Sequence, residues 1–357
     1  MIIQECFTKE WIQEISTQLD YPDVNLIEKV IRAFALVEML SDSGCPYIWK
    51  GGTALMLLLG GNRHRLSIDV DIICPPGTEI DKYLKDFNKY GFLNVETVER
   101  IQLGNDIPKS HSKFFYRVAF KDNEAHPGNI LLDVLFEDSH YNKVQHLPLK
   151  SPFIEFDGEP TIVNIPSIDD ILGDKLTAFA PNTSGIPYFK GSSDCNLEII
   201  KQLYDIGRLF DNVTDFSIVA KAYDKISRVE LSYRRKEKNP LLALQDTRET
   251  ALCLSTRGTA GTGNFAALQN GVSRLRSFMY LGKYQIEQAI TDAAKAAYLA
   301  TLIETGDTIL ERYPGNINGM QLPTSLPTKL NKLRLPSPEA YFYWVKTGEL
   351  LLKRNVR

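Results

Sequence analysis

Two aspartates in an alternating segment have the residue type and the spacing needed for metal chemistry. Asp69 and Asp71 lie in the run RLSIDVD at 65–71, and polar and apolar residues alternate through Cys74. Side chains two residues apart on a β-strand point to the same side, so both carboxylates can bind the same ion. Carboxylate oxygens are ligands that Mg²⁺ prefers, and Mg²⁺ neutralises a triphosphate and its departing pyrophosphate. The segment predicts metal-dependent nucleotidyl transfer, with an NTP as substrate and Mg²⁺ or Mn²⁺ as cofactor.

A glycine turn precedes this segment. The sequence KGGTAL at 50–55 follows a short strand-like run at 47–49 and leads into an apolar helix. Glycine lets the backbone approach a phosphate closely, and the first turn of a helix offers free N–H donors. The hydroxyl of Thr53 is predicted to add a donor or a metal contact. The residues predicted to hold the triphosphate are Lys50, Gly51, Gly52, Thr53, Arg65 and Ser67.

A third carboxylate is predicted on a neighbouring strand. Asp133 is the lone charge in the apolar run ILLDVLF at 130–136. A charge in such a run needs a partner, a metal or solvent. We expect Asp133 to complete the metal site with Asp69 and Asp71, or to act as the base toward the acceptor hydroxyl. The alternative is an edge-strand aspartate that faces water.

The composition and charge of the chain argue against several classes of protein. The chain has 357 residues, 43% of them hydrophobic, and a formal net charge of -3, so nucleic acid could bind only through a local basic patch. Five scattered cysteines without a CxxC pair suggest neither a zinc site nor a disulfide framework, and they fit a reducing compartment. No signal peptide is visible, and the apolar run at 54–59 is too short for a bilayer. We expect a cytoplasmic protein without membrane contact.

Hydrophobic periodicity predicts an α+β fold. Helices followed by a mixed sheet account for the first 165 residues, and helices dominate from residue 167 onward. A compositional boundary predicts two domains, a catalytic one at 1–210 and a helical C-terminal one at 211–357. The elements predicted after the first helices are strands at 67–74, 93–103, 113–121 and 129–137, a helix at 79–90, and a late helix at 282–312.

The motifs together resemble a known family. KGGTAL at 50–55 and RLSIDVDI at 65–72, followed by DKLTA at 174–178 and KQLYDIGRL at 201–209, are similar to the AbiEii/AbiGii nucleotidyltransferases. These are toxins of toxin–antitoxin pairs within the DNA polymerase β-like superfamily, and the resemblance covers about positions 30–210. It implies a polymerase-β-like nucleotidyltransferase core.

The resemblance also implies roles and partners. Lys175 matches the helix lysine that faces the triphosphate, and Asp205 matches the acidic residue of the last motif, so both join the predicted catalytic set. The implied partners are an RNA acceptor such as tRNA and a cognate antitoxin. From the residues alone, Lys175 could equally be an exposed helix lysine, and Asp205 could form a helix-surface ion pair with Lys201 or Arg208.

Two other functional classes are compatible with the motifs. One is a nucleotide-binding module without turnover, although three metal-facing carboxylates exceed what binding alone requires. The other is a nucleotidyltransferase of the same fold that modifies a small molecule or a protein hydroxyl. Basic residues near 234–238 and at 274–276 favour a macromolecular acceptor such as RNA.

Overall fold

The computed structural model describes residues 1–60, 65–98, 108–120, 126–234, 239–280 and 282–356. The chain divides into two compact units, and we describe each by itself. The first unit comprises residues 1–167 and 278–282, and the second comprises residues 168–277 and 283–357. The domain boundary predicted at 210/211 falls inside the second unit.

A mixed sheet forms the centre of the first unit. Its strands run in the order β1-β2-β5-β4-β3, where β2 and β5 are parallel and the other neighbours are antiparallel. Strands β6 and β7 pair separately as a second small sheet. The elements are α1 (Lys9–Gln18), α2 (Val24–Asp42), β1 (Ile48–Lys50), α3 (Gly51–Leu58), β2 (Val70–Cys74), β3 (Asn94–Val98), β4 (Lys109–Tyr116), β5 (Gly128–Phe136), β6 (Val144–Pro148) and β7 (Ile162–Pro166).

The sheet has a buried face and a more open face. Along β5, Leu132 and Val134 are buried, whereas the intervening Asp133 is partly exposed. Helix α2 packs against β2 and β5 and brings Arg32 over the Tyr116 ring of β4, so it covers the buried face. The period of two along a strand therefore directs the charged side chains of β2 and β5 and the lysines and histidine of β4 away from α2.

A buried ion pair lies within α2, and both of its side chains also form hydrogen bonds to backbone groups of loops beside the sheet. Arg32 Nη2 lies 3.5 Å from Glu28 Oε1, and the Glu28 carboxylate also accepts the backbone N–H of Ala119 at 3.1 Å. Arg32 donates to the carbonyl of Gly91 at 3.0 Å. Burial raises the pKa of Glu28 from its ordinary value of 4.5, and Arg32 and the Ala119 N–H oppose that rise. Each charge thus depends on the other to remain buried.

Some local expectations were wrong. The helix predicted at 79–90 is replaced by two short 3₁₀ turns at Ile80–Lys82 and Phe87–Tyr90, because Asp86 has a φ of 59° and interrupts any helix there. Strands β6 and β7 were not predicted. Residues 99–103 of the strand predicted at 93–103 lie outside the described residues.

Helices make up most of the second unit. Helix α9 packs against α5, α7 and α10 through a face rich in alanine, and α4 packs against α5 and α6. The late helix predicted at 282–312 is shorter because Gly306 ends it in the left-handed conformation. The elements are α4 (Ile168–Ala178), β8 (Phe189–Lys190), β9 (Ser193–Asp194), α5 (Asn196–Phe210), α6 (Phe216–Tyr233), α7 (Pro240–Ser255), α8 (Phe265–Leu275), α9 (Ile286–Thr305) and α10 (Pro338–Val356).

The predicted α+β class, with a mixed sheet and a helical C-terminal region, is confirmed. The boundary differs because α4 and α5, which precede residue 211, pack with helices that follow it. In the described part of the chain, no helix has the length and apolar character required to span a membrane.

Replacement of Arg32 tests the buried pair. Arg32→Ala leaves the Glu28 carboxylate buried without a cation and should lower the free energy of unfolding by about 3–5 kcal/mol at neutral pH. Without Arg32 the pKa of Glu28 rises further, so the folded variant binds more protons than the unfolded chain above pH 4.5. The stability deficit should therefore grow as the pH rises from that value.

Urea unfolding near pH 5 and near neutral pH measures this deficit. The double variant Glu28→Gln, Arg32→Met keeps an acceptor for the Ala119 N–H and carries no buried charge, so it should recover most of the loss. A stability deficit of Arg32→Ala that is independent of pH would contradict the role of Arg32 as the partner of the buried Glu28 carboxylate.

Candidate active site

Four ionisable residues form a row across the open face of the sheet. Lys50 pairs with Asp71, Asp71 pairs with Asp133, and Asp133 pairs with His111 in the strand register. Paired residues on neighbouring strands project to the same face with Cβ atoms about 4.5–5.5 Å apart. The order of charges across β1, β2, β5 and β4 is thus a lysine, two aspartates and a histidine. The register brings Asp71 and Asp133 together as the sequence predicts.

The backbone of Gly51 lies directly against Asp71. A Cβ atom on Gly51 would be 2.1 Å from Asp71 Oδ2, and the residue has a φ of +83°. Gly51 is also the first residue of α3, whose first-turn N–H groups have no partner within the helix. The carboxylate of Asp71 therefore lies beside a helix N-terminus, an environment that favours negative charge. Only glycine is compatible with both this backbone and this contact.

The next glycine allows two polar side chains to come close. A Cβ atom on Gly52 would be 2.6 Å from Ser67 Oγ and 2.8 Å from Arg65 Nη2. Arg65 is buried, whereas Ser67 is partly exposed. The glycine turn and the segment with Arg65 and Ser67 that precedes β2 are thus packed closely together, as expected for residues that share one binding site.

Thr53 occupies a different position from the one predicted. Its side chain is fully buried, and its hydroxyl donates to the backbone carbonyl of Asp69 at 2.6 Å. The hydroxyl therefore fixes the segment that carries Asp69, and it is not directed toward a triphosphate. Asp69 itself lies one residue before β2 and is partly exposed.

A distant segment of the chain supports Arg65 and Leu66. The Leu66 N–H donates to the carbonyl of Phe278 at 2.7 Å, and Arg65 forms an isolated β-bridge with Met279. Residues 278–282 belong to the first unit although the sequence around them belongs to the second. This support was not predicted from the sequence, because nothing in the local pattern around residue 278 indicates a contact with a loop more than 200 residues earlier.

The carboxylate of Asp133 is hydrogen-bonded to His111. Nδ1 of His111 contacts Oδ1 of Asp133, and the side chains are 22% and 40% exposed. His111 lies on the β4 side of Asp133, opposite to Asp71 on the β2 side. No role was predicted for His111 from the sequence, and the register of β4 against β5 identifies it as the neighbour of Asp133.

The described residues contain no group of three or more histidine, cysteine, aspartate or glutamate side chains that could together hold a metal ion. The three-carboxylate metal site predicted from Asp69, Asp71 and Asp133 stays a prediction. The hydrogen bond to His111 holds the Asp133 carboxylate toward β4. Mg²⁺ needs only one or two carboxylates when substrate phosphates complete its shell, and Asp69 and Asp71 satisfy that requirement by type and spacing.

Comparison with known proteins identifies the family. The family model described as "Nucleotidyl transferase AbiEii toxin, Type IV TA system" matches residues 35–265. The chain belongs to this family. It is therefore a nucleotidyltransferase of a toxin–antitoxin family, and every residue predicted for the site lies within the matched range. No curated protein matches the chain in sequence.

Solved structures are similar to this AbiEii chain at low sequence identity. MenT4, a nucleotidyltransferase toxin from Mycobacterium tuberculosis H37Rv, is 10% identical with a TM-score of 0.50, covering 93% of this chain and 98% of that one. JHP933 from Helicobacter pylori is 16% identical with a TM-score of 0.39, covering 80% and 94%. A second H. pylori chain, titled a putative nucleotidyltransferase, is 17% identical with a TM-score of 0.40, covering 82% and 100%. The likeness to MenT4 concerns the fold.

Two lysines flank the row on β4. Lys109 and Lys113 are exposed and lie two residues on either side of His111, so the three side chains share the open face. Their register partners on β5, Leu135 and Leu131, lie two residues on either side of Asp133. The AbiEii chain therefore presents a cationic strand beside its carboxylates.

Lys175 and Asp205 form an ion pair within the second unit. Lys175 Nζ lies 3.0 Å from Asp205 Oδ2 and donates to Gln202 Oε1 at 2.9 Å. Asp205 is fully buried and the Lys175 side chain is 9% exposed. Lys175 is thus not an exposed helix lysine, and it is an ion-pair partner of Asp205.

The basic residues named with the acceptor are only partly described. Residues 235–238 lie outside the described residues. Arg274 is ion-paired with Asp194 of β9.

Substitution of Gly51 tests the contact with Asp71. Gly51→Ala places a methyl group against the carboxylate and should reduce nucleotidyl transfer by about 100-fold, because small displacements in an active site have effects of that size. Gly44→Ala is the matched control, since Gly44 has a φ of +71° but nothing within 4 Å of its Cβ position.

Both variants introduce left-handed strain of about 1–2 kcal/mol, and Gly51→Ala must in addition displace Asp71, so its thermal unfolding should shift at least as far as that of Gly44→Ala. Transfer of labelled nucleotide, measured beside the unfolding temperatures, separates strain from displacement. Equal loss of activity in both variants would refute a specific role for the approach of Gly51 to Asp71.

Proposed function

We propose that the chain transfers an NMP from a Mg²⁺- or Mn²⁺-bound NTP to a hydroxyl of an RNA acceptor such as tRNA. The observation that carries the proposal is the position of Asp71, which lies against the N-terminus of α3 and next to Asp133 in register. Family membership supplies the reaction class. The acceptor, the metal and the residue roles are our inference.

The donor side of the reaction is assigned to the glycine turn and the aspartates. Asp69 and Asp71 would hold the metal, whose oxygen-ligand preference fits their carboxylates. When bound, the metal supplies charge neutralisation at the triphosphate oxygens and at the leaving pyrophosphate. The N–H groups of Gly51 and Gly52 and the side chains of Lys50, Arg65 and Ser67 would orient the triphosphate, as helix N-termini and cations do with phosphate.

The acceptor side is assigned to Asp133. The acceptor hydroxyl oxygen forms a bond to the α-phosphorus, and the bond from that phosphorus to the oxygen bridging to the β-phosphate breaks, so pyrophosphate leaves. The hydroxyl proton passes to the Asp133 carboxylate, which acts as general base. Of the two roles predicted for Asp133, its hydrogen bond on the side away from Asp71 favours this one.

The charge beside Asp133 favours a polyanionic acceptor. Lys109 and Lys113 are exposed on the same face of β4 and flank the acceptor side of the row. Lysines in such a position bind nucleic-acid phosphates without reading sequence. The two lysines therefore favour RNA over an aminoglycoside-like acceptor, although Glu96 of β3 is the register partner of Lys113.

The catalytic role of Lys175 and Asp205 and the physiological role of the chain are inferred from the resemblance and the family. Lys175 and Asp205 remain predicted members of the catalytic set, and their ion pair within the second unit is what the geometry adds. The physiological role that we infer is a toxin controlled by a cognate antitoxin, in line with the family description.

Labelled NTPs test the reaction. The purified chain, incubated with each α-³²P-labelled NTP, Mg²⁺ and total RNA, should label RNA, and the labelled NTP identifies the base. Asp71→Asn should lower the rate by about 10²–10⁴-fold, because it removes a metal ligand and a negative charge from the site. Asp81→Asn, at an exposed aspartate of the first unit, is the matched control.

Label on a small molecule or a protein instead of RNA would overturn the RNA acceptor. NTP binding without any transfer would overturn catalysis and favour a nucleotide-binding module. Equal activity in Asp71→Asn and Asp81→Asn would overturn the assigned site.

The cationic strand yields a separate prediction. The double variant Lys109→Gln, Lys113→Gln should raise the KM for RNA and leave the KM for NTP unchanged, because it removes only acceptor phosphate contacts. The slope of log KM for RNA against log salt should fall by about one for each lysine removed.

The matched control is Lys82→Gln, Lys89→Gln, which removes two exposed lysines elsewhere in the first unit. An equal change in both double variants would show a general charge effect and contradict binding of the acceptor along β4.

A further inference from the structure

The geometry points to His111 as the positioning residue of Asp133 in the transfer reaction. The inference deepens the proposed function and rests on it, since it concerns the acceptor side of that same site. The observation is the contact between His111 Nδ1 and Asp133 Oδ1 at the end of the row that begins with Lys50. No part of the sequence motifs contains His111, which lies between the matched motif at 65–72 and the strand of Asp133.

The chemistry of the two groups fixes the direction of the hydrogen bond. An ionised carboxylate can only accept, so the ring nitrogen at Nδ1 carries the proton and donates it. The neutral ring with its proton on Nδ1 is sufficient, and Nε2 is then an acceptor. His111 thereby occupies Oδ1 of Asp133 and leaves Oδ2 for the proton of the acceptor hydroxyl.

The strand register makes the hydrogen bond between His111 and Asp133 specific to the acceptor side of the site. Asp133 has neighbours on both sides in the sheet, Asp71 on β2 and His111 on β4. A carboxylate without a donor on the β4 side would be free to rotate toward a cation shared with Asp71. The hydrogen bond holds it on the acceptor side, which separates the base from the metal-binding aspartates.

Stability does not explain the pair. The side chains are 22% and 40% exposed, and pairs that are partly exposed add little to the free energy of folding. In contrast, residues that orient an active carboxylate typically change activity or metal affinity by 10- to 100-fold when they are replaced. Because the pair of His111 and Asp133 lies beside Asp71 in the sheet, we expect it to affect the transfer reaction.

Three substitutions at His111 and Asp133 test the inference. His111→Ala should reduce kcat by about 10- to 100-fold and leave the KM for NTP within about twofold, because the donor side is untouched. His111→Asn places an amide nitrogen near the position of Nδ1 and should recover most of the rate. In an Asp133→Asn background, His111→Ala should have almost no further effect, since His111 acts only through that carboxylate.

His146→Ala is the matched control. His146 lies on β6 of the same unit, and its Nδ1 also contacts a side-chain oxygen, that of Asn164 at 2.6 Å. Its replacement should leave kcat unchanged. Unfolding temperatures of all variants show whether any loss reflects stability.

Ring nitrogen resonances provide a readout that does not depend on turnover. The chain contains five histidines, so long-range ¹H–¹⁵N spectra can be assigned by substitution. In the wild type the proton of neutral His111 should reside on Nδ1, and Asp133→Ala, which removes the acceptor oxygen, should return the ring to a mixture of tautomers. A wild-type ring protonated only on Nε2 would overturn the hydrogen bond and the inference.

The kinetic outcomes separate the two proposals. A wild type that transfers no nucleotide to RNA overturns the proposed function, and with it this inference. An active wild type in which the effects of His111→Ala and Asp133→Asn multiply overturns the inference alone. The inference is also overturned if His111→Asn is as impaired as His111→Ala, because the other ring nitrogen, Nε2, would then be essential.

Discussion

The parallel pairing of β2 with β5 is the constraint on which the site depends. It sets Asp71 beside Asp133 in register, and these strands lie at the centre of the five-stranded sheet. Because the side chains of a strand alternate between faces, a slip of one residue would move one carboxylate into the core under α2. The buried residues of β2 and β5 oppose such a slip, since Val70 and Leu132 would become exposed. The apolar core therefore determines the spacing of the carboxylates.

Close backbone approach is the second determinant. Gly51 and Gly52 bring the first turn of α3 against Asp71 and Ser67 at distances that exclude a side chain. The buried hydroxyl of Thr53 then ties this turn to the carbonyl of Asp69. Three consecutive residues thus serve one purpose, which is to fix a helix N-terminus against the strand that carries the aspartates. The site is preorganised by backbone contacts, with few long side chains that would have to be ordered.

Features with a local signal could be predicted from the sequence. The alternation at 65–74, the glycine turn and the lone charge at Asp133 follow from strand periodicity and glycine geometry, and they led to the α+β class and the family. Contacts between distant segments carry no such signal. The hydrogen bond from Leu66 to Phe278 and the ion pair between Lys175 and Asp205 depend on how elements pack. His111 falls in between, because the pattern of β4 places it on a polar face but only the register assigns it to Asp133.

The environment of each aspartate explains the kind of partner that it has. Asp205 is fully buried, where an unpaired carboxylate is prohibitively unfavourable, so a full positive charge from Lys175 lies beside it. Asp133 is 40% exposed, and water shares its solvation, so one imidazole N–H donor is sufficient. Asp71 lies at a helix N-terminus, whose partial positive charge favours the negative charge of the carboxylate. For Asp205 and Asp133, the kind of partner therefore follows burial: the fully buried carboxylate has a lysine, and the partly exposed one has an imidazole.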